Sequence, residues 1–247
     1  MTTLKRILSI AVIVGVVCAM AALFMGMGKT EESKEAPDIQ EVVAREALSS
    51  ISIGVLPEEI AARDINPVLS EAEKAEITAK HQSIAKEIYS SKSSFFYSHP
   101  ESVAAFLAAS GQERQGIVPG ITIAAGVSSC EITDLKFQGE DRVIAETVTY
   151  TWNKRIYKHS DKLYTIDATI NCDRVTFELV KEDGSWKILK TLDFIKEFMD
   201  NDDSSSKAEM DSIIKKAPAT TSYDTYEEAF AAAKTYEMTS ILSTETE

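Results

Sequence analysis

The chain has 247 residues, 44% of them hydrophobic, which suffices for one domain of ordinary size and a tail. The first 29 residues hold three of the 26 basic residues and none of the 39 acidic ones, so residues 30–247 carry a net charge of 23 − 39 = −16. Such a surface repels polyanions, which excludes nucleic acid as a general partner.

An apolar run over residues 7–27 is interrupted only by Ser9 and carries no charge. About 20 apolar residues, each rising about 1.5 Å in a helix, cross the roughly 30 Å hydrocarbon core of a bilayer. Lys5 and Arg6 precede the run and favour a cytoplasmic N-terminus. We therefore predict a single-pass signal anchor over residues 1–28, with the bulk of the chain extracytoplasmic at the cell membrane.

Two other fates of this segment remain open. The small-residue site that ends at Ala21 permits signal-peptide cleavage, which would release a secreted protein. Lipid attachment at Cys18 is the third alternative, although Val17 before it is a poor match to a lipobox. The length of the apolar run favours the uncleaved anchor.

Residues 29–38 are highly charged, include Pro37, and predict a tether. We expect the folded domain over residues 39–199. Its first helix is predicted over residues 39–50.

Two later helices have clearer start signals. Ser70 and Glu73 form a capping box, which predicts a helix running to about Tyr89. Pro100 suits a first helical position and predicts a shorter helix ending before Gly111.

From residue 128 the hydrophobic period changes to that of strands, and turn residues separate four segments. Within the third segment the phase of the apolar residues changes between Ile170 and Val175, which indicates a bulge. The predicted strands are Ser129–Phe137, Arg142–Lys158, Leu163–Lys181 and Ser185–Phe194.

Asp183-Gly184 is a two-residue hairpin signal between the last two strands. A turn at this position pairs Leu179 with Ile188 and Val175 with Leu192. The sequence therefore predicts a secure hairpin.

Residues 200–247 form an acidic linker and a helical tail. Ser206 with Glu209, and Asp224 with Glu227, each predict the start of a short helix. The sequence does not decide whether these helices dock on the domain.

Cys130 and Cys172 lie in strands that a third strand separates. Two strand spacings place the Cα atoms of these cysteines roughly 9–10 Å apart. The Cα atoms of a disulfide are at most about 7 Å apart, so two buried thiols are favoured over a disulfide.

The chain has predicted helices followed by a long antiparallel meander. One strand contains Val148-Thr149-Tyr150-Thr151-Trp152, and the closing hairpin runs from Phe177 to Ile188 (FELVKEDGSWKI). This arrangement resembles the NTF2-like (cystatin-like α+β cone) superfamily. The resemblance covers about residues 39–199. It implies an α+β fold in which helices pack on a curved antiparallel sheet of four or more strands around a conical pocket. Similar extracytoplasmic domains precede amidase-like domains in some Gram-positive proteins.

The resemblance makes Tyr150, Trp152 and Ile170 candidate pocket residues, although side chains that simply fill the core explain Tyr150 and Trp152 as well. Glu146 shares the strand face of Tyr150 and Trp152. It is a weak candidate for a catalytic base if it is buried.

A basic cluster follows in the acidic chain, and it suggests contact with an anionic wall polymer, lipid headgroups or an acidic partner. Edge protection and solubility explain it equally well. Its members are Lys154, Arg155, Lys158, His159 and Lys162.

The three histidines, His81, His99 and His159, show no metal-ligand spacing, and the sequence indicates no metal and no cofactor. We therefore expect a membrane-anchored extracytoplasmic binding or scaffolding module without catalysis, with a protein or cell-wall polymer as partner and no nucleic acid. The alternatives are a small-molecule pocket enzyme that uses Glu146 as base, and an assembly subunit that docks through residues 201–247.

Overall fold

A computed structural model describes residues 32–112, 119–159, 161–200, 222–234 and 240–244, without the side chains of residues 32–33, 166–170 and 196–200. The chain divides into two compact units, Met1–Pro37 and Asp38–Glu247. Among the described residues no helix is both long enough and apolar enough to cross a bilayer, and the run over residues 7–27 lies outside them.

The fold is α+β, with helices preceding and packing on one antiparallel sheet. The capping box predicted at Ser70 is present: Glu73 N donates to Ser70 Oγ over 3.3 Å, and Ser70 N donates to Glu73 Oε2 over 2.7 Å. The helices before the sheet are α1 Glu32–Ile51, α2 Glu58–Ala61, α3 Glu71–Ile88 and α4 Phe95–Ala108.

Two helix predictions were wrong at their starts. The predicted tether is helical from Glu32, because the Glu, Lys and Ala residues around it have high helix propensity and outweigh Pro37, which lies inside α1. Helix α4 begins at Phe95, not at Pro100, since Pro100 is tolerated inside it.

Among the described residues the sheet has six strands, in the order β4-β3-β2-β1-β6 with β5 pairing β3, and all of these pairings are antiparallel. The first four strands agree with the predicted segments, although β1 begins nine residues earlier and β4 ends six residues later. The strands are β1 Gly120–Phe137, β2 Arg142–His159, β3 Lys162–Glu182, β4 Ser185–Asp200, β5 Ser222–Tyr223 and β6 Leu242–Ser243.

The β3–β4 hairpin confirms the pairing of Leu179 with Ile188, but Val175 pairs with Phe194 and not with Leu192. The difference arises because, of the three register shifts in the β3–β4 ladder, two lie between Val175 and Leu179. A bulge in β3 is present as predicted, but it lies where β3 passes from Ile166 to Thr169.

The inner face of the sheet, defined as the face on which the helices pack, carries the odd-numbered residues of β2 from Val143 to Thr151. Val143, Ala145 and Thr147 are fully buried, whereas Tyr150 is 42% exposed on the other, outer face. Of the even-numbered residues, which were expected to share one face, Trp152 and Ile156 are buried, so only the expectation that Tyr150 fills the core was wrong. The inner positions hold small side chains because α1 packs closely over them.

Two apolar clusters hold the helices to the sheet. One joins Ile39 and Val43 of α1 to Val143, Phe177 and other residues of the sheet, and α3 contributes its C-terminal end. The second cluster joins α2, the N-terminal half of α3, and α4 to the far ends of β1 and β2. An apolar core cluster therefore lies towards each end of the sheet.

The described C-terminal residues pack on the domain. Helix α5 (Tyr226–Lys234) belongs to the second apolar cluster, and the Tyr226 hydroxyl donates to Ala61 O over 2.5 Å. Thr225 and Glu228 form its capping box, not Asp224 and Glu227, because the Asp224 carboxylate instead pairs with Lys162. The helix predicted after Ser206 lies outside the described residues.

Cys130 and Cys172 are buried free thiols, as the strand geometry predicted. β2 separates their strands, since Cys130 is opposite Thr149 and Cys172 is opposite Tyr150.

Candidate functional site

The three predicted pocket residues lie on the outer face. Trp152 is 3% exposed and its indole Nε1 donates to Ser240 Oγ over 2.8 Å, so it packs as part of the structure. Ile170 is opposite Trp152 in the sheet, but its side chain lies outside the described residues. Because Tyr150 is largely exposed, the residues predicted to line a pocket do not enclose one.

Glu146 also lies on the outer face, where its side chain is 40% exposed. Its Oε1 accepts a hydrogen bond from Lys136 Nζ over 3.1 Å, and Lys136 also contacts Asp134. Glu146 shares its face with Tyr150 and Trp152 as expected, but it is not buried, so the condition on which it was a weak candidate for a catalytic base is not met.

The predicted basic patch is not one surface. Lys154 is only 4% exposed, Lys162 is ion-paired with Asp224, and the Arg155 guanidinium lies 5.5 Å from the centre of the Tyr157 ring. Lys158 is exposed and His159 is half-buried. Burial and pairing leave too little free positive charge for a continuous anionic-partner site.

The middle of the inner face carries a polar group of four side chains, which we call the inner polar quartet: Thr149, Thr151, Asn171 and Asp173. Thr149 is directly opposite Asp173, and Thr151 is directly opposite Asn171, with no register shift between the two pairs. Opposed residues point to the same side of a sheet with Cβ atoms about 4.5–5.5 Å apart. The four side chains therefore form one contiguous patch.

Two neutral oxygen atoms of the inner polar quartet have no hydrogen-bond partner among the described residues. Thr151 is 1% exposed and Asn171 is 8% exposed, and within the described residues neither Thr151 Oγ1 nor Asn171 Oδ1 has a hydrogen-bond partner. The adjacent threonines differ: Thr147 Oγ1 donates to Val175 O over 3.0 Å, and Thr149 Oγ1 donates to Cys130 Sγ over 3.6 Å. Buried polar atoms without partners are rare in folded proteins, and each calls for an explanation, of which a bound molecule is one.

Glu46 of α1 lies near the inner polar quartet. Burial raises the pKa of its carboxyl to about 6, and the charge of Asp173 raises it further. The hydroxyls of Ser50 and Tyr89 donate to Glu46 Oε1 over 2.9 and 3.4 Å, which holds the carboxyl in place. The Glu46 and Asp173 carboxyls therefore lie in one region of the inner face, where Lys196 is opposite Asp173 in the β3–β4 ladder.

The Cys130 thiol borders the inner polar quartet through Thr149. Burial raises its pKa to about 11, so it is protonated at neutral pH. A buried, protonated thiol is a poor nucleophile, which argues against cysteine chemistry at this position.

A second polar cluster joins α1, α3 and α4. His99 Nε2 lies 3.0 Å from Ser49 Oγ and 3.1 Å from His81 Nδ1, and all three residues are buried. A catalytic Ser-His arrangement needs one imidazole nitrogen for the serine and the other for an orienting group. Because Ser49 and His81 contact the same nitrogen of His99, the geometry fits a structural network.

A cavity of about 50 Å³ lies beside this network, between α1 and α3. Ser49 and Ser52 contribute hydroxyls to its wall, and the ion pair between Arg45 and Glu87, with N and O atoms 2.9 Å apart, lies at its edge. Its volume suits one or two water molecules and not a substrate.

Burial lowers the pKa of His81 to about 4 and also lowers that of His99. Both imidazoles are therefore neutral at physiological pH. The sequence indicated no relation between these two histidines, because only the packing of α3 on α4 brings them together.

The comparisons with known proteins identify no family for this chain. No protein-family model matches it, and no curated protein matches it. The crystal structure of the intermembrane space region of the chloroplast protein ARC6 is similar at 11% sequence identity and a TM-score of 0.33, covering 52% of this chain and 99% of that one. A similarity at this TM-score carries no conclusion about fold or function.

Proposed function

We propose that the chain is a membrane-anchored extracytoplasmic binding module of the NTF2-like α+β cone type, which binds a small polar ligand at the inner polar quartet without catalysing a reaction. The apolar run over residues 7–27 supplies the anchor in this proposal. The inner face of the sheet supplies the ligand site.

The observation that supports the proposal is the buried pair of Thr151 and Asn171, whose oxygens have no partner within the described residues. Leaving a buried polar group unsatisfied costs about 1–3 kcal/mol per group. A ligand that supplies hydrogen bonds to both oxygens removes this cost. The pair therefore favours ligand binding, in contrast to Thr147 and Thr149, whose hydroxyls have partners within the protein.

One observation favours a second function. The pKa of Glu46, about 6, lies near neutrality, which suits a general base. In that case Glu46 would take a proton from a ligand at the inner polar quartet. The Glu46→Gln variant separates the two functions, because it leaves a binding module intact and removes the base.

The binding proposal is tested with the full-length protein in detergent micelles. A thermal-shift series compares amino acids, polyamines, sugars and carboxylates, with and without the Thr151→Val substitution. We expect one class to raise the melting temperature of the wild type in a saturable way and to act less on the variant. A series in which no compound raises the melting temperature contradicts the proposal.

The anchor is tested separately by extracting membranes with alkaline carbonate. A single-pass anchor predicts that the full-length chain stays in the membrane pellet, with external protease digesting the domain of intact spheroplasts. Release of the chain into the growth medium, with the first 21 residues missing, contradicts the anchor and supports cleavage after Ala21.

A further inference from the structure

The edge of β1 that lies beside β6 has the form of a site for an added strand. β1 has 18 residues and β6 has two, and their ladder consists of the pairs Gly126–Ser243 and Val127–Leu242. Among the described residues, β6 is the only strand that pairs with β1 on the side away from β2. Backbone N–H and C=O groups along such an edge are able to pair with a further extended chain.

Main-chain hydrogen bonds hold residues 240–244, which we call the edge segment, against β1. Ile241 N donates to Val127 O over 2.9 Å, and Thr244 N donates to Ala125 O over 3.0 Å. Ala125 N in turn donates to the Thr244 hydroxyl over 3.2 Å. Because most of these groups belong to the main chain, they hold an extended peptide in place with little regard to its sequence.

Two side chains of the edge segment supply selectivity. Leu242 packs against the apolar cluster that joins α1 to the sheet, and Ser240 Oγ accepts the hydrogen bond of the Trp152 indole. A Cβ atom on Gly126 would lie 2.6 Å from the Trp152 ring, so glycine at this position of β1 leaves room for the indole. By contrast, the Ile241 side chain is 54% exposed. The edge therefore selects a hydroxyl and a leucine two residues apart, and not the residue between them.

The connection to the rest of the chain allows the edge segment to reach another copy. Residues 235–241 separate Lys234, the last residue of α5, from Leu242. A chain of this length spans up to about 24 Å when extended, which is roughly five strand spacings. The ladder that holds the segment has two pairs, and short ladders at a sheet edge open at low free-energy cost. The segment of one chain is therefore able to reach the β1 edge of a neighbouring chain.

We propose that the β1 edge is a strand-addition site for the edge segment of a second copy, so that two copies exchange their segments. Each copy presents both an edge and a segment, and a reciprocal exchange closes as a two-fold dimer. In a single copy the chain's own segment fills the site and competes with the incoming one. This inference goes beyond the proposed function and does not depend on the inner polar quartet.

The first experiment tests the site with a peptide. The host is the full-length protein in micelles with the substitution Leu242→Asp, which removes the apolar contact of its own segment. A fluorescein-labelled peptide of residues 238–247 is titrated with this host, and binding is followed by fluorescence anisotropy. We expect saturable binding to the host. Binding to the wild-type protein should be weaker by about tenfold or more, because its own segment competes.

Neighbouring substitutions in the peptide give a matched control. A peptide with Leu242→Asp should bind the host about tenfold or more weakly, because its leucine no longer enters the apolar cluster. A peptide with Ile241→Asp should bind as the unsubstituted peptide does, since this side chain is exposed. Adding Trp152→Phe to the host removes the indole donor and should weaken binding severalfold.

The second experiment tests the second copy by disulfide crosslinking. Val127 and Leu242 are directly opposite in the ladder, where Cα atoms are about 4.5–5.5 Å apart and a disulfide fits. Full-length proteins with Val127→Cys and with Leu242→Cys, carrying different tags and both with Cys18→Ala, are mixed in micelles and mildly oxidised. We expect a mixed dimer whose amount rises with protein concentration. Ile241→Cys in place of Leu242→Cys is the control and should give no dimer.

Each contrary outcome overturns a definite statement. Absence of saturable peptide binding, or equal binding of the two substituted peptides, overturns the strand-addition site. The double variant Val127→Cys with Leu242→Cys should form an intramolecular disulfide. If it does so while the mixture gives no mixed dimer, the second copy is overturned as the occupant. If the Leu242→Asp host shows no cooperative thermal transition, the crosslinking experiment decides both statements.

Discussion

Two threonines on the inner face of β2 should respond oppositely to the same substitution. Thr147 and Thr151 are both buried, both lie on the strand that crosses the middle of the sheet, and both become valine by exchange of a hydroxyl for a methyl group. They differ in one respect: Thr147 Oγ1 donates to Val175 O over 3.0 Å, whereas Thr151 Oγ1 has no partner among the described residues. The comparison therefore isolates the value of that hydrogen bond.

The expected magnitudes follow from this difference. Thr147→Val removes a donor from a buried carbonyl and should lower the free energy of unfolding by about 1–2 kcal/mol. Thr151→Val removes a buried hydroxyl that has no partner, so in the ligand-free protein it should be neutral or raise the free energy of unfolding by up to about 1 kcal/mol. The two variants should thus differ by about 1–3 kcal/mol in unfolding free energy.

Urea unfolding of the full-length protein in micelles measures these values through the fluorescence of Trp152 and Trp186, the two tryptophans of the chain. The slope of free energy against urea should be equal in the wild type and both variants, which shows that the unfolded state is unchanged. If Thr151→Val destabilises the ligand-free protein as much as Thr147→Val does, the Thr151 hydroxyl has a partner and our reasoning about the inner polar quartet is refuted.

Three further predictions follow from burial and steric contact. The pKa of His81 falls from 6.5 in the unfolded chain to about 4 in the fold, so the unfolded state binds more protons between these values. The contribution of this histidine to stability should be constant above pH 6.5 and fall by about 3 kcal/mol towards pH 4, which urea titrations measure as the difference between the wild type and His81→Asn. The pKa of Glu46 is raised to about 6, so the folded state holds a proton that the unfolded state has already lost. Glu46→Gln should therefore raise the free energy of unfolding by about 1 kcal/mol at pH 8. An equal increase at pH 4.5 would contradict the burial of Glu46. A Cβ atom on Gly126 would lie 2.6 Å from the Trp152 ring, so Gly126→Ala should lower the free energy of unfolding by about 1–3 kcal/mol. Gly54→Ala serves as the control in thermal unfolding, because a Cβ atom there would lie 3.7 Å from its nearest neighbour.

Local chemistry made much of the fold predictable from the sequence. The Ser70 capping box and the Asp183-Gly184 turn each act through neighbours in the chain, and both are present. Gly184 has a φ of 82° and Asp183 a φ of 52°, as a two-residue hairpin turn of this kind requires. Features that depend on a few adjacent residues are therefore readable without the tertiary structure.

The face of β2 was not predictable from its own residues, because both faces are covered at Trp152. The larger apolar side chains of β2 occupy the even positions, which suggested that this face was the core. In the fold, Trp152 is buried on the outer face and donates to Ser240, while the small side chains of β2 on the inner face belong to the cluster that also holds residues of α1. Both causes act over long sequence separations, so no period within the strand reveals them.

The inner polar quartet was missed for a related reason. The alternating threonines Thr147, Thr149 and Thr151 were visible in the sequence, but their significance depends on which residues of β3 lie opposite. Only the register places Asn171 beside Thr151 and Asp173 beside Thr149. An unusual run of threonines on one strand face was the single signal available, and a search for polar residues on alternate positions of both strands would have found it.

The central claim is that the inner polar quartet holds a small ligand, and native mass spectrometry tests it most directly. Full-length protein purified from its own membranes is released from micelles and compared with the Thr151→Val and Thr147→Val variants. We predict an additional mass on the wild type and on Thr147→Val that is absent from Thr151→Val. An identical spectrum for all three proteins, with or without an additional mass, would contradict the account.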